Sequence, residues 1–321
     1  MRTTILAAVL LSGTSLAWAQ TPAPPATRPM IWTTLGTAGG PVVHDDRSQP
    51  ANLLTFGDKR WLVDCGDGCA ERLAAKGAQP AAIAAVFISH LHLDHTAGLQ
   101  GLIGLRWMQS APGALTIYGP PGTDKLVAGI IASMQPVAAI DPSQRHAALT
   151  DTVKVVTLQG GSDLTVDGVR IRAVRNSHFD DPPGHPTDNG TQSLSYRFDV
   201  PGYAIGYTGD TGVSEGVAQL FKGAGLIVSE VIDLPGIVAN LSGPKSPIPE
   251  RARPALIEHL KTQHLTPQQA GQIAASAGAS RLVLTHLSIA GPTDSIAPAL
   301  IKQTHETYRG QVAVAHDLDS F

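Results

Sequence analysis

The sequence predicts a layered α/β domain, in which buried strands alternate with helices and ligands gather where strands end. Three observations predict it. Short apolar runs of strand length recur along the chain, bounded by Gly, Pro, Asn and Asp. Stretches of helical length, several with recognisable start and stop residues, lie between them. Histidines and aspartates follow several of the apolar runs directly. With 321 residues, 43% of them hydrophobic, the chain can bury a sizeable core, and 30–321 reads as one domain.

The elements follow in order. Ile31 to Leu35 reads as the first strand and ends in the loop 36–40. Asn52 to Phe56 and Arg60 to Val63 read as a hairpin about Gly57-Asp58. Ala70 to Lys76 reads as a helix that Gly77 stops. Ala84 to Ile88 is an apolar run of the kind that fills a buried strand, and it leads into Ser89-His90. Leu99 to Met108 and Asp124 to Met134 read as helices, with the strand Leu115 to Tyr118 between them. Val153 to Leu158, Leu164 to Val166 and Val169 to Val174 are further strands. Leu194 to Phe198 and Tyr203 to Tyr207 form a hairpin about Val200-Pro201-Gly202. Leu226 to Val228 is a buried strand. Thr266 to Ala277 is a helix with Thr266 as N-cap, Pro267 at its first position and Gly278 as its stop. Leu282 to Thr285 reads as the last core strand.

At the N-terminus, Arg2, the mainly apolar Ile5 to Leu16 and Ala17-Trp18-Ala19 have the layout of a secretory signal peptide cut after Ala19. The apolar run is too short for a membrane anchor, and no later stretch reaches the roughly 20 apolar residues of a span. The expectation is therefore a signal peptide over 1–19 and a periplasmic or secreted mature protein without a membrane span. Residues 20–29, with four prolines, read as a disordered leader. The formal net charge is -3, and no run of Lys and Arg occurs. Nucleic-acid binders usually carry a basic stripe, so charge argues against that class. Cys65 and Cys69 read as two small buried residues, with a short-loop disulfide as the alternative in an oxidising compartment. The sequence sets no oligomeric state, and a homodimer is compatible with it.

The chemistry lies in Ser89-His90-Leu91-His92-Leu93-Asp94-His95. Imidazoles and carboxylates are the N and O ligands that divalent zinc takes. In an extended segment His90 and His92 project to one side, and Leu91 and Leu93 would face the core. Any one of His44, His146, His185, His259, His305 and His316 reads as an ordinary hydrogen-bonded residue. The four-residue cluster does not, because a packed group of this kind without a metal leaves its carboxylate unpaired. Three further places follow predicted strands and can complete a site: His178 after Val174, Asp210 after Tyr207, and His286 after Leu284.

The pattern His-x-His-x-Asp-His, a later His, a Gly-Asp and a final His, in this order, resembles the metallo-β-lactamase superfamily. The resemblance covers essentially the whole mature chain and implies a four-layer αββα sandwich. It implies two Zn2+, although Mn or Fe can use the same ligand types. His90, His92 and His178 would hold one ion, Asp94, His95 and His286 the other, and Asp210 would bridge them. Asp64 in Leu-Val-Asp-Cys-Gly matches a carboxylate that orients a ligand histidine.

Two further segments resemble the tRNase Z-like and arylsulfatase-like branch: Val228-Ser229-Glu230, and His264 before Leu265-Thr266-Pro267. There the pair assists protonation of the leaving group, and Glu230 beside His264 would keep an acid available. A metal-activated hydroxide would attack, with Asp94 orienting it or accepting its proton. Within the branch, the signal peptide and the tight turn before Tyr203, which leaves no room for a tRNA-gripping arm, argue against tRNA. The acidic, Pro-rich loop 179–191 argues the same way. The expected substrate is thus a small-molecule phosphate or sulfate ester, with no nucleic-acid partner. The alternatives are lactone or β-lactam hydrolysis, a tRNase Z-type ribonuclease, a di-iron redox centre, and a metal-binding protein without catalysis. Arg47 and Trp107 are candidate substrate contacts.

Overall fold

Side chains alternate across the strands and sort themselves into three apolar layers, which a computed structural model arranges around two sheets. It describes residues 30–140, 146–181, 185, 190–244 and 246–321. The expected signal peptide and leader, 1–19 and 20–29, lie outside the described residues. The first sheet holds β1 (Met30–Gly36), β2 (Ala51–Phe56), β3 (Lys59–Cys65), β4 (Ala85–Phe87), β5 (Leu115–Gly119) and β6 (Val153–Thr157), in that order. The second holds β7 (Asp163–Val166), β8 (Val169–Arg175), β9 (Leu194–Val200), β10 (Tyr203–Tyr207), β11 (Leu226–Ile232), β12 (Arg281–Ser288) and β13 (Gln311–Val314), also in sequence order across the sheet. In the first sheet β1, β2 and β3 pair antiparallel and β3 through β6 pair parallel. The second repeats this plan, antiparallel from β7 to β10 and parallel from β10 to β13.

In β3, Trp61 and Val63 point between the sheets while Leu62 points outward; in β11, Leu226 and Val228 point inward while Ile227 points outward. The inner layer is aromatic-rich, with Trp32, Trp61, Phe87, Tyr196, Phe198 and Tyr207 packed together. Outside the first sheet lie α1 (Cys69–Ala75), α2 (Leu93–Thr96), α3 (Leu99–Met108) and α4 (Thr123–Ala138), of which α1, α3 and α4 cover Leu53, Leu62 and Ile117. Outside the second sheet lie α5 (Glu215–Leu220), α6 (Leu234–Ser242), α7 (Arg253–Gln263), α8 (Pro267–Ala277) and α9 (Thr293–Thr304), of which α5, α8 and α9 cover Ala204, Ile227 and Leu282. The expected αββα sandwich is therefore the observed fold.

Several expectations need correction. Beyond Leu282 to Thr285, the last core strand, a further short strand, β13, pairs parallel with β12 at the sheet edge. β11 runs four residues beyond Val228, so Glu230 lies within it. Leu93 does not face the core: the chain turns into α2 at that residue and leaves its side chain 76% exposed. Cys65 and Cys69 are buried free thiols, in line with their main reading and against the alternative disulfide. Among the described residues no helix is long and apolar enough to cross a membrane.

Candidate metal centre

The parallel strands of both sheets end on the same rim, and the ligand residues sit there. The two sheets are tied at this rim: Leu194 N donates to Ser89 O at 2.9 Å, and the Tyr196 hydroxyl donates to Ile88 O at 2.7 Å. His90 leaves β4, His178 leaves β8 and Asp210 leaves β10. Gly209 precedes Asp210 at φ +56, where an added Cβ would lie 2.9 Å from Ser89 Cβ, so the position needs glycine.

One ligand, His286, and the carboxylate that orients another, Asp64, owe their aim to β-bulges. In β12, Thr285 pairs with Glu230 and Leu287 with Val231, which leaves His286 as the extra residue at φ +44. In β3, Val63 pairs with Asn52 and Cys65 with Ala51, which leaves Asp64 as the extra residue at φ +59. A bulge takes one side chain out of the strand's alternation and re-aims it. Left-handed backbone at non-glycine residues is strained, so the surroundings must hold it.

All seven expected ligands converge. His90 Nε2 lies 3.0 Å from His92 Nδ1, which lies 3.2 Å from His178 Nε2, and Asp210 Oδ2 lies 3.8 and 3.9 Å from the His90 and His178 nitrogens. On the other side, His95 Nε2 lies 3.3 Å from Asp210 Oδ1 and 3.6 Å from Asp94 Oδ2. His286 Nε2 lies 3.1 Å from Asp210 Oδ2 and 3.5 Å from Asp94 Oδ2. Asp210 thus belongs to both groups, and within each group the donor atoms lie within 4.8 Å of one another. All are buried except His92.

The residues fit divalent cations on three counts. His95 Nε2, His286 Nε2 and Asp210 Oδ1 are buried and have no hydrogen-bond partner among the described residues, so each aims at a shared point without bonding its neighbour. The far nitrogens of His95, His178 and His90 are held, whereas His286 Nδ1 has no hydrogen-bond partner among the described residues. Asp64 Oδ2 accepts from His95 Nδ1 at 2.8 Å, Gln263 O accepts from His178 Nδ1 at 3.0 Å, and Ser89 Oγ contacts His90 Nδ1 at 3.0 Å while donating to Asp64. Such contacts set the tautomer and leave the inward nitrogen as a ligand. Electrostatics supply the third count. Burial keeps His90, His92 and His178 below the usual imidazole range, hence neutral as ligation requires. Burial works against charge on His95 and His286 too, but Asp210 outweighs it, raising His95 well above its usual range and His286 to about 10. Burial would raise Asp94, yet the imidazoles of His286 and His95 hold it at about 2. The carboxylates demand positive charge at this point, and a divalent ion meets that demand.

Beside the cluster, Glu230 Oε2 accepts from His264 Nδ1 at 2.7 Å, and Glu230 Oε1 accepts from Thr211 N at 2.6 Å. Burial disfavours charge on His264, but Glu230 prevails and raises it. Burial also raises Glu230, against the pull of His264. The His264 ring lies 5.0 Å from that of His178 and 6.1 Å from that of His286, so it borders both ligand groups.

Several participants were not legible in the sequence. Tyr207 donates its hydroxyl to Asp64 Oδ2 at 2.7 Å across 143 residues. Phe179 sets its ring against those of His90, His92 and His178. His259, read as ordinary, lies 5.8 Å from His264 ring to ring. Its place five residues before His264, in the last turns of α7, is the signal the sequence offers. Of the candidate substrate contacts, Arg47 lines a cavity next to the centre. Trp107 does not reach the site: it packs into the layer outside the first sheet, its indole donating to Ala147 O at 2.9 Å.

A family model described as a β-lactamase superfamily domain matches residues 59–287. A Mycobacterium avium (strain 104) relative named Ribonuclease Z is 31% identical over 290 residues, which is 88% of this chain and 92% of the relative. A second Ribonuclease Z, from Mycobacterium tuberculosis (strain ATCC 25618 / H37Rv), is 30% identical over 295 residues, 89% of this chain and 95% of its own length. Among solved structures, the metallo-β-lactamase-fold protein YhfI of Bacillus subtilis aligns with a TM-score of 0.65 at 22% identity, covering 92% of this chain and 99% of its own. Human tRNase Z, short form, aligns with a TM-score of 0.62 at 22% identity, covering 91% and 98%. These relatives overturn the expectations of a small-molecule ester substrate and no nucleic-acid partner. The tight turn at 200–203 excludes an inserted arm only at that point. In the acidic loop, Asp180 is buried and paired with Arg175, so its charge does not project outward.

Proposed function

Because the chain belongs to the β-lactamase superfamily and is 31% identical to a relative named Ribonuclease Z, we propose that it is a metal-dependent ribonuclease that hydrolyses a phosphodiester bond of RNA. The observation that carries the reading is the Glu230–His264 pair at 2.7 Å, set beside both ligand groups. A sugar alkoxide is a poor leaving group and needs a proton as the bond breaks. His264 holds that proton: Glu230 fixes its Nδ1–H and favours the charged ring, which leaves Nε2 to face the leaving oxygen. Thr211 N fixes Glu230 in turn. Two divalent ions, which we assign as Zn2+, would be held by His90, His92, His178, Asp94, His95, His286 and the shared Asp210, and would supply water of lowered pKa and positive charge against the phosphoryl oxygens. Asp94, deprotonated from about pH 2 upward, is placed to orient the attacking water and accept its proton.

The test is cleavage of an RNA with a 3′ extension beyond a stem by metal-loaded protein. We expect a single endonucleolytic cut, abolished in Asp210→Ala together with metal retention. His264→Ala should keep its metal and lose turnover on RNA, with the smallest loss on a 4-nitrophenyl phosphodiester; an equal loss on both would remove the acid role. We also propose export through residues 1–19, so that the substrate is RNA outside the cytoplasm. Sequencing of the protein secreted by its host should then find Gln20 first; an intact Met1 would refute export.

A further inference from the structure

We propose that Glu230 serves two histidines at once: its Oε2 is the acceptor both for the acid His264 and for the metal ligand His286, so Glu230 positions one of the two ions as well as the acid. His286 is buried, its Nε2 lies among the ligand atoms, and its Nδ1 has no hydrogen-bond partner among the described residues. A neutral imidazole that gives one nitrogen to an ion carries its proton on the other. His286 Nδ1 is then a buried N–H, and leaving such a donor without an acceptor is costly. His90, His95 and His178 have the matching nitrogen in contact with Ser89, Asp64 and Gln263. For His286 the acceptor at hand is Glu230 Oε2, 3.9 Å away. Closing that gap by about 1 Å makes a hydrogen bond.

The strands put the three side chains together. Glu230 of β11 pairs with Thr285 of β12, and the bulge directly after that pair releases His286. Successive residues of a regular strand point to opposite faces; the bulge, with φ +44 at His286, re-aims this ring. The rings of His264 and His286 lie nearly parallel, 12° apart with 6.1 Å between their centroids. Their Nδ1 atoms lie 2.7 and 3.9 Å from the same oxygen, Glu230 Oε2. Donor atoms of Glu230, His264 and His286 all lie within 4.8 Å of one another. Glu230 is buried, and its Oε1 is taken by Thr211 N, which leaves Oε2 to the two rings. A carboxylate oxygen has two lone pairs and accepts two hydrogen bonds. This proposal rests on the metal binding in the proposed function and is independent of the substrate.

Stepwise zinc affinities from chelator competition, in wild-type protein, Glu230→Gln and His264→Ala, test it. Glu230→Gln should weaken one equivalent about 10- to 100-fold and leave the other unchanged, because His286 belongs to only one of the two ligand groups that share Asp210. His264→Ala leaves Glu230 Oε2 to His286 alone and should weaken neither. In the proton–nitrogen correlation spectrum of zinc-loaded protein labelled at histidine, the His286 Nδ1 proton should give a slowly exchanging downfield resonance. It should persist in His264→Ala and move upfield in Glu230→Gln. Unchanged affinities in Glu230→Gln, equal weakening of both equivalents, or the same loss in His264→Ala would overturn the proposal. So would a third equivalent that both variants lose, since the cluster would then hold an ion of its own. Failure of the wild-type protein to bind two equivalents would overturn the metal centre and the proposal with it, whereas the outcomes above leave that centre standing. If Glu230→Gln does not fold by circular dichroism, the His264→Ala spectrum decides alone, and absence of the resonance there refutes the shared acceptor.

Discussion

At the residue scale, Asp64 is the most economical test of how the ligands are held. It accepts from Ser89 N, Ser89 Oγ, the Tyr207 hydroxyl and His95 Nδ1, all within 2.8 Å. An Asp64→Asn substitution keeps the shape, removes the charge and turns one acceptor into a donor facing donors. Metal affinity should fall about 10- to 100-fold, measured by chelator competition, with the circular dichroism spectrum retained; unchanged affinity would contradict the orienting role. The ligands themselves were legible because they stand in the chain as a tight cluster and as single residues after apolar runs. Asp64 and Glu230–His264 were legible only through resemblance. Tyr207 and the Gln263 carbonyl were not, because what they do depends on which strands and helices meet across the rim. Nor was the left-handed turn at His286, since nothing in Leu-Thr-His-Leu marks a bulge.

At the element scale, α8 shows what local sequence can settle. Thr266 and Gln269 form a reciprocal capping box, Pro267 opens the helix and Gly278 closes it at φ +69. Thr266→Ala should cost about 1 kcal/mol of stability, read as a lower urea midpoint at unchanged slope; an unchanged midpoint would show that tertiary packing alone holds this end. The same cap starts two residues after His264, so it also fixes the approach of the acid. Helices α3 and α8 were legible from their periodicity and stop signals. Helices α6 and α7 were not, because they bury nothing and their aliphatic residues follow no core-facing stripe. β13 was missed for a related reason: only Val314 of its four residues is buried, so it lacks the apolar run that marks the inner strands.

At the scale of the whole molecule, the aromatic layer between the sheets sets the distance between the two halves of the ligand set. Phe198 is fully buried there and meets Trp32, Phe87 and Tyr196. Phe198→Ala should cost about 3–5 kcal/mol, seen in denaturant titration of the metal-loaded protein; a loss under about 1 kcal/mol would mean that the sheets are held together elsewhere. The αββα architecture was legible because the period-2 runs and the strand-end ligands agree. The substrate was not, because net charge and the composition of one loop describe the surface only on average, whereas RNA is held by particular groups in particular places.

On the proposed function, seven side chains drawn from both sheets hold two divalent ions that act on RNA. Its most direct test is to strip the protein of metal, titrate it with Zn2+ and follow cleavage of a 3′-extended RNA stem. No cleavage is expected without metal, full activity at two equivalents, and no recovery in Asp210→Ala. Cleavage by the stripped protein, or an intact RNA after two equivalents are bound, would contradict it.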